Sequence, residues 1–255
     1  MSNNHNEQEE EDDESDTNFL KILEDEEPNN NGEQQITQQV VAHYLTSIKS
    51  TLVIRQITSQ GLSFQLWPAA TTLVTLLDNH QPTTLSSILH PRVPPLRILE
   101  LGSGTGLLGI AAASILGANV TLTDLPHVLP NLQFNADANK ETVGGSSVSV
   151  ASLRWGEEED MKSIGREFDV ILGSDVVYYH HLYDPLLKTL RFFLLNGNSS
   201  DQKAVFVMSH LKRWKKESAF FKKARKMFKV QVLHYGMPLP GSRIGVVVYS
   251  FSGKS

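Results

Sequence analysis

The sequence predicts an α/β fold, a doubly wound and mainly parallel sheet whose C-terminal edge carries an antiparallel hairpin strand. Three observations support this. From residue 96 onward, short apolar runs alternate with helix-period segments, as expected of β–α units stacked on both faces of one sheet. A glycine-rich turn follows the first of these runs and opens a helix. The last two apolar runs have no helix between them, so they are expected to pair antiparallel.

The chain is long enough for this core, with 255 residues of which 40% are hydrophobic. It contains no cysteine, which excludes disulfides, thiolate nucleophiles and sulfur-ligated metal sites. Charge is divided unevenly. Residues 1–33 hold 13 of the 28 acidic side chains and a single lysine, Lys21, a net of -12, whereas the remainder carries +7. With almost no apolar content, 1–33 is expected to be a disordered acidic tail, interrupted only by the FLKIL stretch Phe19–Leu23. No apolar run reaches the roughly 20 residues of a membrane span, and no signal or transit peptide is evident. A cytoplasmic protein, also nuclear or not, is expected, without membrane association and as a monomer.

Residues 34–95 are expected to form a lead-in. Ile36, Val40, Val41, Tyr44 and Ile48 recur at helical spacing, and Leu52–Thr58 and Leu62–Trp67 look like two strands joined by a Ser-Gln-Gly turn. Pro68 suits the first turn of a helix running to Leu77, and the proline-containing stretch from Gln81 to Pro95 connects to the core at 96–255. The core then runs strand Leu96–Leu101, helix Leu107–Leu116, strand Asn119–Thr123, helix Pro126–Lys140, and strands Val148–Leu153 and Phe168–Gly173. Helix Leu182–Leu195, strand Ala204–Ser209, a basic helix over Lys215–Phe228 and strands Lys229–Tyr235 and Ile244–Phe251 complete a seven-stranded sheet.

The glycine turn is LELGSGTGLLG, Leu99–Gly109, at a strand's carboxyl end beside a helix N-terminus, where backbone amides can approach a ligand. Asp124 stands 20 residues after Gly104 at the end of the next strand, where a carboxylate can accept both hydroxyls of a ribose. A nucleoside-containing ligand follows. Gly104, Gly106 and Gly109 match the G-x-G-x-x-G spacing of a dinucleotide site. However, the turn begins earlier, at Gly102, and Glu100 puts a carboxylate where it would repel a pyrophosphate and attract the cationic aminoacyl end of S-adenosyl-L-methionine. The hairpin edge agrees with the sulfonium cofactor.

Several blocks in order extend this. QLWPAATTLV (Gln65–Val74), ILELGSGTGLLGI (Ile98–Ile110), TDLPHVLPNLQFN (Thr123–Asn135), LRWGEE (Leu153–Glu158), FDVILGSDVVYY (Phe168–Tyr179) and DPLLKTL (Asp184–Leu190) resemble class I, seven-β-strand methyltransferases of family 16, the DxxY-type protein-lysine methyltransferases. The resemblance implies a Rossmann-like sheet, S-adenosylmethionine as methyl donor and transfer to a lysine side chain of another protein. It implies cofactor contacts for Trp67, Glu100, Gly102, Ser103, Gly104, Gly106, Asp124 and Ser174, with Trp155 packing against adenine. Asp175 and Tyr178 form the DxxY pattern and are the implied catalytic pair, the first orienting the ammonium and the second bonding or walling the lysine. LRWGEE and the region from Tyr178 to Leu190 look most like members that modify molecular chaperones and AAA-type ATPases.

Other features are weaker. His180 and His181 are adjacent and suit neither a shared metal nor a dyad, so no metal is expected. The segment His210–Lys229 has nine lysines and arginines against one glutamate; with Phe220, Phe221, Ala224, Met227 and Phe228 on one face, its charges are expected in water. No nucleic-acid module is recognisable, and nucleic acid is not the expected partner. A small-molecule N-methyltransferase and a non-catalytic cofactor-binding module are the alternatives.

Overall fold

The computed structural model describes residues 38–79, 84–89, 95–195, 204–213, 215–238 and 245–254. The acidic segment 1–33, with Phe19–Leu23, lies outside them. The main sheet has seven strands: β3 (Arg97–Leu101), β4 (Asn119–Asp124), β5 (Val148–Ser152), β6 (Val170–Ser174), β7 (Val205–His210), β8 (Phe228–Tyr235) and β9 (Val247–Gly253). Their order is β5-β4-β3-β6-β7-β9-β8. The first five are parallel, and β9 lies antiparallel between β7 and β8, so the terminal hairpin closes the sheet as expected.

Strand β3 begins the parallel series and is flanked by β4 on one side and β6 on the other. The chain winds outward in both directions from this point, which opens a crevice beyond the carboxyl ends of β3 and β6. Both faces of β3 are buried. Ile98 belongs to the cluster that packs helices α1 (Pro68–Asp78) and α3 (Leu107–Leu116), while Leu99 and Leu101 belong to the one beneath α7 (Tyr183–Leu195) and α8 (Ser218–Met227). An Arg97–Asp169 clip secures the β3/β6 register: the Arg97 amide donates to Asp169 Oδ2 at 2.8 Å and its guanidinium to Oδ1 at 3.1 Å.

The lead-in differs from the expected helix and long hairpin. Gln39–Leu45 is strand β1, paired antiparallel with β2 (Ser50–Gln56). Val40 and Tyr44, which suggest a helical stripe in sequence, are 62% and 58% exposed and form no buried face. Pairing prevails because β2's backbone is held by Asn135 of helix α4 (Leu129–Ala138) and by Asn139 at its C-cap, which gives β1 a fixed template. Leu62–Trp67 is no strand either. It contains a 3₁₀ turn, Leu62–Phe64, preceded by another over Thr58–Gln60, and Phe64 is buried with Ile57 and Val128. The Ile57 amide donates to Phe64 O at 2.9 Å, closing this segment on itself above the glycine turn. A short α2 (Thr84–Ile88) precedes the sheet, α5 (Lys140–Val143) follows α4, and α6 (Glu158–Ile164) adds a helix after β5.

Candidate active site

The crevice is floored by the glycine turn. Gly102 has φ 60° and Gly104 φ 55°, in the left-handed region where a side chain is strained. Space is also short. A Cβ on Gly102 would lie 3.0 Å from the Trp155 ring, and one on Gly104 would lie 3.1 Å from Ser63 O. Gly106, with φ 85°, caps α3, whose N-terminus stands at the glycine turn. Ser103 ties the turn to β4, its amide donating to Thr123 O at 2.9 Å and its Oγ accepting from the Thr123 amide at 3.0 Å. Asn135 braces it from α4 by donating to Thr105 O at 2.9 Å.

Asp124, the last residue of β4, is directed at the same turn. Its Oδ2 accepts the Gly104 amide at 2.8 Å and its Oδ1 the Leu125 amide at 2.7 Å, leaving lone pairs on both oxygens. Burial raises its pKa, against the lowering by these two amides. Glu100 departs from the expected role. Its side chain is on the α3 face of β3, 1% exposed, where Oε2 accepts the Gly109 amide at 3.1 Å. Burial pushes its carboxyl up to about 8, so near neutral pH it is mostly the uncharged acid holding the turn from beneath rather than an anion facing a cationic ligand.

Trp155 packs beside Gly102 on a turn braced from two directions: the Gly156 amide donates to Thr189 Oγ1 at 2.8 Å, and Arg154 pairs with Asp160 at 2.8 Å. Ser174 ends β6, half-buried at the sheet edge. Asp175 then turns the chain with φ 52°, a conformation that aspartate tolerates better than most residues. The turn buries Val176 and Val177 and leaves Tyr178 at the crevice. Burial, then the Asp124 charge, push the Tyr178 hydroxyl up to about 12. Trp67, the residue before α1, donates Nε1–H to Leu62 O at 2.9 Å.

The Asp175 carboxylate does not stand open in the crevice. Oδ1 accepts the Leu211 amide at 2.9 Å and Oδ2 accepts Arg213 Nη2 at 2.9 Å, while the Arg213 guanidinium carbon lies 5.1 Å from the centre of the Trp67 ring. Burial opposes its charge, but the contacts with His210 and Arg213 prevail and hold it below the usual carboxylate range. Arg213, His210 and Glu217 thus belong to the site, although sequence reasoning placed them in a solvated basic segment. The available signal was Glu217, the single acid in that run.

Two halves thus meet at one sheet edge: the glycine turn with Asp124 and Trp155 after β3–β5, and the Asp175–Tyr178 loop after β6. A family model described as lysine methyltransferase matches residues 47–227. The chain belongs to this family. Relatives include the protein N-lysine methyltransferase METTL21A of Danio rerio, 35% identical over 69% of this chain and 72% of that protein. Mouse METTL21A is 34% identical over 72% and 78%, and EEF1A lysine methyltransferase 3 of Xenopus tropicalis 37% over 46% and 48%. The fold also matches solved structures. The METTL16 MTase domain superposes with TM-score 0.52 at 12% identity, covering 75% of this chain and 70% of that one. A SAM dependent methyltransferase from Agrobacterium tumefaciens gives 0.51 at 17%, covering 88% and 73%. The family and the sheet order agree with the expectation from sequence: this is a class I methyltransferase, and its family is that of enzymes acting on lysine.

Proposed function

We infer that the protein seats S-adenosylmethionine across the carboxyl ends of β3–β6 and methylates the side-chain amine of a lysine in another protein. The observation that carries this reading is the convergence on the glycine turn, where a Cβ on Gly102 would lie 3.0 Å from the Trp155 ring and 3.2 Å from Val176 of the Asp175–Tyr178 loop, and Asp124 accepts the Gly104 amide at 2.8 Å. The residues suit the cofactor. Side chains at Gly102 and Gly104 would fill the cradle, Asp124 retains acceptor capacity for ribose hydroxyls, and Trp155 offers a flat wall for adenine. Ser103, Gly106 and Ser174 line or shape the same floor, and Trp67 borders its far end.

When bound, S-adenosylmethionine supplies an electrophilic methyl group on a sulfonium. The chain's own part is to admit a lysine in line and let it lose its proton, since the free side chain titrates near pH 10.4. Tyr178 stays protonated through the physiological range, which makes it a hydrogen-bonding wall rather than a base. Asp175 is a poor base as well, its carboxylate held by Arg213 and the Leu211 amide. Neither side chain is therefore assigned the substrate proton.

Protein substrates are supported by the relatives' names, and molecular chaperones and AAA-type ATPases are the first candidates on the LRWGEE and Tyr178–Leu190 blocks. The test is calorimetric titration with S-adenosylmethionine, then incubation of the protein with methyl-labelled cofactor and a cell extract. Saturable binding, weakened about 10-fold or more in Asp124→Ala, with label in the protein fraction, is expected. Label only among small molecules would overturn the protein-substrate assignment.

A further inference from the structure

A buried chain of charges runs behind the DxxY loop. His210, the last residue of β7, is 1% exposed, and Glu217 just before α8 is 0% exposed. His210 Nε2 is 2.9 Å from Glu217 Oε2, and Nδ1, which closes no hydrogen bond, stands at ion-pair distance, 3.5 Å, from Asp175 Oδ1. Glu217 also accepts the Arg213 amide on both oxygens, at 3.3 and 3.2 Å, while the Arg213 guanidinium reaches back to Asp175 Oδ2. The four side chains alternate in sign if the imidazole is charged: Glu217, His210, Asp175, Arg213.

Charge balance decides the state of the histidine. Two buried carboxylates face one guanidinium, and an unpaired buried charge is costly. A second proton on His210 neutralises the set and gives each carboxylate a cationic neighbour. The aromatic surroundings, with the Phe221 ring centre 5.8 Å from that of His210, carry no charge themselves, and the Arg225 guanidinium carbon, 5.8 Å from the Phe221 ring centre, belongs to an exposed side chain. Tyr183 and Tyr249, the other titratable groups under the influence of Glu217, are phenols with raised pKa values and remain neutral. The contacts with Asp175 and Glu217 likewise raise the His210 pKa, against the lowering by burial.

We propose that His210, doubly protonated between Glu217 and Asp175, is a positioning residue: together with Arg213 it fixes the Asp175 turn and so the placement of Tyr178 and Trp67 at the mouth. Loss of the link leaves the left-handed Asp175 without part of the clamp that holds it. The kinetic part of this proposal rests on the methyl-transfer reading; its structural part does not.

The test uses the full chain, Glu217→Gln and His210→Gln, and three readouts. Nitrogen-15 shifts of the His210 ring are expected to show both nitrogens protonated across neutral pH in the wild type and a neutral ring in Glu217→Gln, whose amide can still bond it. Amide exchange at Asp175 and Leu211 is expected to speed about 10-fold or more in His210→Gln. With a protein substrate, kcat falls by 10- to 100-fold on the order of a slightly misplaced site, while KM for the cofactor stays within about twofold. A neutral His210 in the wild type at pH 7 overturns the proposal, as does unchanged amide exchange or an unchanged kcat in a folded Glu217→Gln. Should the wild type methylate no protein at all, the methyl-transfer reading fails, and the ring shifts and amide exchange still decide the positioning claim.

Discussion

Glu100 and Gly102 lie two positions apart and serve the same turn in different ways. Gly102 permits a left-handed bend and leaves room for the Trp155 ring. Gly102→Ala should therefore cost about 1–2 kcal/mol of stability from backbone strain alone and weaken cofactor binding more than that strain predicts, because the new methyl group displaces Trp155. Denaturant unfolding and cofactor titration measure the two effects; equal cofactor affinity in variant and wild type would contradict the placement of Trp155. Glu100 is read from its pKa. The folded value, about 8, stands above the ordinary 4.5, so its stabilising contribution is complete below about pH 4.5 and is lost as pH rises through about 8. Glu100→Gln keeps an acceptor for the Gly109 amide and cannot ionise. Urea midpoints across this range should fall for the wild type relative to the variant, and parallel profiles would contradict the assignment.

At the scale of elements, the small β1–β2 hairpin is held by a ladder of asparagines four positions apart, Asn131 and Asn135 on helix α4 and Asn139 at its C-cap. Asn139 exchanges hydrogen bonds with the Val53 backbone at 2.8 and 2.9 Å, and Asn135 with that of Arg55 at 2.8 and 3.0 Å. Asn131 accepts Arg55 Nε at 2.7 Å. Because Asn135 also holds Thr105 O, Asn135→Ala should cost about 1–3 kcal/mol in urea unfolding and weaken the cofactor site at the same time. A change below half a kcal/mol would show that the ladder is dispensable. This ladder explains what the sequence concealed. Strands β3, β6 and β7 are legible because both faces are buried and their runs are mostly apolar. Gln39–Leu45 has a pattern that fits a helix as well as a strand, and the choice is made by side chains about 90 positions away. Helix α6, which the sequence expectation lacks, carries ordinary helix signals: three acids in its first turn and Gly165 at its end.

For the molecule as a whole, the parallel strands gather residues from five separate blocks at one sheet edge. Sequence reasoning found those whose spacing is local, such as Gly102–Gly106, or set by one β–α–β step, such as Asp124. It missed Arg213, His210 and Glu217 because their partner, Asp175, follows another strand and only the β6–β7 pairing brings them together. The orientation of Glu100 was also out of reach, since it depends on the packing of α3 against β3 and β4. The central claim is methyl transfer to lysine by a site that depends on Asp175. The most direct measurement is hydrolysis of the protein band labelled by the wild type, with identification of the methylated amino acid, alongside the same reaction with Asp175→Ala. The account predicts Nε-methyllysine from the wild type and none from the folded variant; label on another amino acid, or equal methyllysine from both, would contradict it.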